Sequence, residues 1–121
     1  MSSTRGRFPI QAWFDEWSCE PVIYGPASHR LVKLIEARPQ TAWDFILDLV
    51  EAAPNEDTLG WIGAGPLEDL LGTHGEAFIS AAEERVKEDP RFLLSLQNVW
   101  MRPENPLYER LAAATGGQPW G

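Results

Sequence analysis

A chain of 121 residues with 44% hydrophobic content suits one domain that builds its own core. Its net charge of −8 argues against a phosphate-backbone ligand, and its single cysteine, Cys19, excludes an internal disulfide. No run of about 18 apolar residues is present to span a membrane, and the Arg5/Arg7 N-terminus lacks the apolar stretch of a signal peptide, so a cytoplasmic protein is expected.

In chain order, the first predicted helix is Ile10–Ser18. Ile10, Trp13, Phe14 and Trp17 fall at the i, i+3, i+4, i+7 spacing of one helix face, and Asp15 and Glu16 take the other. Pro21, Gly25 and Pro26 make a connection around the only β-like run, Val22-Ile23-Tyr24. A second helix is expected over Ala27–Ala37, with Ser28 as a candidate N-cap and Leu31, Leu34 and Ile35 inward; Pro39 ends it. The third, Thr41–Ala53, carries apolar residues around most of its circumference. Only Asp44, Asp48 and Glu51 form a polar stripe, so this helix is expected at the centre of the fold. Thr41 with Asp44 suggests a capping box.

A fourth helix, Glu56–Ile62, is expected to break at Gly63-Ala64-Gly65. Pro66 then suits the first position of a new helix, with Glu68 and Asp69 in its first turn, where the helix dipole favours carboxylates, and Gly72 as its stop. Further helices are expected over Glu76–Glu88, Arg91–Met101 and Leu107–Ala114. Trp13, Trp17, Trp43 and Trp100 are placed on inner faces, Trp61 at the rim of the glycine segment, and Trp120 in a Gly/Pro tail. The fold class is therefore all-α: a single compact domain over 1–121 of six or seven short helices, with flexible ends at 1–8 and 116–121. It is either a stack of helical hairpins or an irregular bundle.

Charge is unevenly placed. Residues 1–38 carry a net +1 and the remainder −9. No lysine or arginine lies between Arg38 and Arg85, a stretch that holds Asp44, Asp48, Glu51, Glu56, Asp57, Glu68, Asp69 and Glu76. Such a face attracts a basic partner. The glycines at 60, 63, 65, 72 and 75 do not make a phosphate loop, because no lysine follows them, no strand precedes them and their neighbours are acidic. Glu68, Asp69 and His74 offer the atom types of a metal or acid–base centre, but not at a recognised ligand spacing. Caps for the acids and a helix-end role for His74 are the plainer reading. His29 and His74 are the only histidines, and no nucleophile motif surrounds any serine, threonine or the cysteine, so the chain is not expected to be an enzyme.

Five segments, Pro39–Ile46, Ile62–Leu71, His74-Gly75, Pro90–Phe92 and Val99-Trp100, together resemble a bacterial domain family of unknown function, marked by Ile-Gly-Ala-Gly-Pro-Leu-Glu-Asp-Leu-Leu followed by His-Gly. The resemblance covers about two thirds of the chain. It implies a bacterial, helical, single-domain protein and carries no activity, cofactor or metal with it.

The function expected from the residues is a small acidic domain that binds a basic protein, in one form an immunity or antitoxin-like inhibitor of a toxin. Asp44, Asp48, Glu51, Trp61, Glu68, Asp69 and His74 are its candidate contacts, and neither nucleic acid nor membrane is an expected partner. The alternatives are a metal-binding or enzymatic domain centred on Glu68, Asp69 and His74, and a structural accessory domain.

Overall fold

In a computed structural model of the chain, residues 10–18 and 26–116 are described. The expectations for Cys19, for Val22-Ile23-Tyr24, for Trp120, and for 1–8 and 117–121 lie outside those residues. The described chain forms α1 (Ile10–Ser18), α2 (Pro26–Ala37), α3 (Pro39–Ala52), α4 (Glu56–Ile62), a π-helical turn (Gly63–Leu67), α5 (Glu68–Val86), α6 (Pro90–Leu96) and α7 (Tyr108–Ala114). No strand occurs among these residues, and the fold is all-α.

The apolar circumference of α3 places it where its sequence demands. It touches α2, α4, α5, α6 and the π-turn, and Ile46 and Leu49 are fully buried. Trp43 stacks on Phe78 at a centroid distance of 5.4 Å and meets Phe92 edge-on at 5.6 Å, tying α3 to α5 and α6. Trp13, Leu31, Ile62, Leu67, Leu70, Phe92, Leu96 and Leu111 complete one continuous core drawn from every helix. Each such side chain contributes roughly 1.5–3 kcal/mol by leaving water. Helix α6 packs on α3, α4, α5 and the π-turn together. In a hairpin stack each unit touches only its neighbours, so the arrangement is an irregular bundle.

Prolines shape the helix junctions. Arg38 is the only residue between α2 and α3, and Pro39 occupies the first turn of α3, where a missing N–H leaves no gap. The expected Thr41/Asp44 capping box is therefore absent. The helix begins two residues earlier, its N-cap position is Arg38 with no side-chain bond, and Asp44 instead accepts from Gln40 at 3.3 Å. Ser28 is likewise not the N-cap of α2, which starts at Pro26. Its backbone N–H and hydroxyl both donate to the Glu16 carboxylate of α1, at 3.0 and 2.7 Å, so a neighbouring helix caps this end. Asn55 caps α4 through the Thr58 N–H, and Asp89 caps α6 through those of Arg91 and Phe92.

The expected break at Gly63-Ala64-Gly65 does not occur. The chain stays helical from α4 into α5 through the π-turn. Pro66 lacks the N–H that would bond the carbonyl four residues back, and its ring crowds that carbonyl, so a widened turn accommodates it without ending the helix. Gly63 is required here. A Cβ at this position would lie 1.8 Å from the Ser95 carbonyl oxygen, because the α6 backbone presses directly on the turn. Gly72 is not itself the stop, but the expected division between two helices falls two residues on: within Glu68–Val86 two helical segments meet at a kink at His74, whose φ of −128° and ψ of 32° leave the helical region. Helix α6 ends at Leu96, short of the expected Met101, and α7 closes before Gly116, whose φ of +83° suits a glycine helix stop.

Candidate functional site

Two of the junction prolines leave an acceptor without its helical donor. The Ile35 carbonyl would ordinarily bond the N–H four residues on, which in Pro39 does not exist. His74 supplies the donor: its Nε2 lies 2.7 Å from the Ile35 oxygen, and since a carbonyl only accepts, Nε2 carries the hydrogen. The bend in α5 falls at this same residue. Val50 stands in the same relation to Pro54, although its carbonyl keeps a long bond from the Ala53 N–H at 3.4 Å. There the Arg91 guanidinium donates to the Val50 carbonyl at 3.2 and 3.0 Å and also to that of Ala53, closing the end of α3 from α6. His74 is thus a helix-end residue, the plainer of its two readings.

The acids behave differently. Glu68 and Asp69 open α5, but the Glu68 backbone N–H already bonds to the Gly63 and Gly65 carbonyls. No free helix end faces the acids, so the expected dipole compensation is missing. Partial loss of water acts on them instead, with Asp69 still an exposed residue and Glu68 a half-buried one. Asp69 stands between two hollows, and loss of water holds its carboxyl above the ordinary carboxylate range. Glu68 is raised by the same cause; a bond from the Trp100 N–H opposes the shift, and the neighbouring Asp69 charge adds to it.

One hollow, of about 220 Å³, lies between α2 and the π-turn and is lined by Ser28, Leu31, Val32, Ile35, Pro66 and Asp69. The other, of about 540 Å³, lies between α5 and the connection from α6 to α7; Glu68, Asp69, Thr73, Trp100, Arg102 and Glu104 line it. Asp69 borders both. Among the described residues no hydrogen bond or ion pair joins Asp69 to a cation, and the acidity of neither acid is governed by Arg102. Val32, 46% exposed in the first hollow, and Trp100, 49% exposed in the second, are the exposed large apolar residues of the described chain.

The sequence spacing predicts Trp100 on an inner helix face, and the structure places it elsewhere. With α6 ending at Leu96, Trp100 falls in non-helical chain between buried Val99 and Met101 and is half-exposed. The polar Gln97-Asn98 pair, in the last turn of the presumed helix, was the available signal. Asp44, Asp48 and Glu51 remain a stripe along α3 and line neither hollow; Trp61 is half-buried against the core. Of the sequence-derived candidates, the structure brings Glu68 and Asp69 together. It leaves the α3 acids apart from both hollows, and it commits His74 to Ile35. No group of three or more His, Cys, Asp or Glu side chains converges as a metal site among the described residues.

Residues 26–118, which contain every feature of this site, match the family described as "Family of unknown function (DUF6869)". The chain belongs to that family. No curated protein and no solved structure matches it. The matched span of this DUF6869 member begins with α2, so α1, which supplies the Glu16 cap, precedes it. None of the described helices is long and apolar enough to cross a membrane.

Proposed function

We propose that this protein is a non-enzymatic, acidic protein-binding domain that acts in the bacterial cytoplasm. Its site is the hollow bounded by Glu68, Asp69 and Trp100, and its partner presents a lysine or arginine side chain there. The observation that carries this reading is Asp69: an exposed carboxylate that lines two hollows, with no cationic partner among the described residues, beside a half-exposed tryptophan. A cation entering the hollow restores to Asp69 the interaction that water would have supplied. The indole face adds a cation–π attraction of about 0.5–2 kcal/mol. Aromatic residues flanked by polar rims are also the usual anchors of protein interfaces. In its most concrete form the domain is an immunity or antitoxin-like inhibitor that covers the basic cleft of a toxin. The acidic stripe on α3 then steers the approach of the partner from a distance.

Affinity capture from the native host tests this, with the wild-type chain and an Asp69→Asn/Trp100→Ala double variant compared by quantitative mass spectrometry. The expected result is one basic protein in stoichiometric amount, reduced about tenfold by the double variant and weakened by added salt. Recovery of no stoichiometric partner, or equal recovery by the variant, overturns the proposal.

A further inference from the structure

The two adjacent acids differ in what holds them. The Glu68 Oε1 atom accepts the backbone N–H of Trp100 at 2.8 Å, across 32 residues of chain. Asp69 has no such bond among the described residues. Beyond α6 the chain makes two tight turns, with the Asn98 N–H donating to Ser95 and the Val99 N–H to Leu96. The donor after these is Trp100, and it turns to α5 instead of back to α6. Val99 and Met101, on either side, are buried. Trp100 and Glu68 both line the larger hollow, the tryptophan is half-exposed, and the Glu68 carboxylate holds the Trp100 peptide from α5.

We propose that Glu68 is a positioning residue. It latches the connection from α6 to α7, and so Trp100, as one wall of the hollow, while Asp69 alone meets the charge of the ligand. This division of labour rests on the basic-ligand reading above, but the latch itself does not. A carboxylate already engaged by a peptide N–H is a weaker partner for an incoming cation than its unengaged neighbour. The pair therefore has one oxygen set committed to holding the wall and one open to the hollow.

Two measurements separate the parts. The first is amide hydrogen exchange at Trp100 in the free protein. Glu68→Ala removes the acceptor and is expected to speed that exchange about tenfold or more, whereas Glu68→Gln keeps a carbonyl acceptor and is expected to stay within about threefold of wild type. Unchanged exchange in Glu68→Ala overturns the latch. The second is binding of an acetylated hexa-arginine amide by calorimetry. Asp69→Asn and Glu68→Ala are each expected to weaken it about tenfold, and Glu68→Gln to keep most of the affinity. If Glu68→Gln binds as poorly as Asp69→Asn, Glu68 is a charge contact and the positioning role is lost. If the wild-type chain fails to bind the peptide, the basic-ligand reading falls, and the exchange experiment still decides the latch.

Discussion

The junctions around α3 and the ledge at the start of α5 handle polar groups in opposite ways. At the junctions, each proline removes the donor four residues on from a carbonyl, and a side chain from a distant helix supplies one: His74 to Ile35, and Arg91 to Val50 beside the long Ala53 N–H bond. At the ledge, Glu68 is half-buried and Asp69 exposed, partial loss of water raises both carboxyls, and among the described residues no cation compensates them. The fold thus satisfies carbonyls across 39 and 41 residues of sequence, while of the two adjacent acids Glu68 has a peptide N–H and Asp69 has no hydrogen bond among the described residues, and it is on this difference that the proposed site rests.

The contrast is sharpest at Arg91. Arg91→Ala withdraws the donors that close α3, and is expected to cost about 2 kcal/mol in urea denaturation, with Arg91→Lys recovering part of it. A change near zero would mean that the α3 end is satisfied without α6. His74→Ala comes next, at about 1 kcal/mol, because it strands a single half-buried carbonyl with a neutral donor lost. A larger loss on addition of a chelator to the wild type than on His74→Ala would reverse the assignment of this residue. Asp69→Asn has the smallest effect and the opposite sign.

The sign for Asp69 follows from its raised acidity. With its folded pKa above the unfolded one, the folded state holds the proton longer, so stability falls as pH rises from the ordinary carboxylate range through the raised value. The variant avoids that loss. It is expected to be more stable than wild type at pH 7 by no more than about 0.5 kcal/mol, since the group is still partly solvated, and to match it in acid below the ordinary carboxylate range. Equal stability at both pH values would mean that Asp69 is compensated after all, and the contrast between ledge and junctions would collapse.

The helices themselves were legible because their apolar spacing is strong. The bounds of α1 and α4 follow the sequence reading residue for residue, and α3 takes the central place that its narrow polar stripe required. What the sequence hid was the behaviour of glycine and proline in tertiary context. Gly63, Gly65 and Pro66 read as a break because isolated propensity favours one, yet the chain stays helical there through a widened turn on which α6 packs. That error carried into the site. A new helix start would have given Glu68 and Asp69 a dipole; a continuous helix gives them desolvation. Trp100 was misplaced for a related reason: a period drawn through Leu93 and Leu96 runs on to it, while the helix stops before it. The partnership of His74 with Ile35 joins residues that no local pattern connects.

The contact between Gly63 and the Ser95 carbonyl has an evolutionary corollary. Backbone meets backbone there, so no rotamer change relieves a larger residue; only displacement of α6 does. Since the segment bearing Trp100 follows directly from that helix, position 63 serves as a gauge when members of the family are aligned. A family member with glycine there is expected to keep the same hollow, and one with a bulkier residue to have a displaced outer rim, which its structure would reveal.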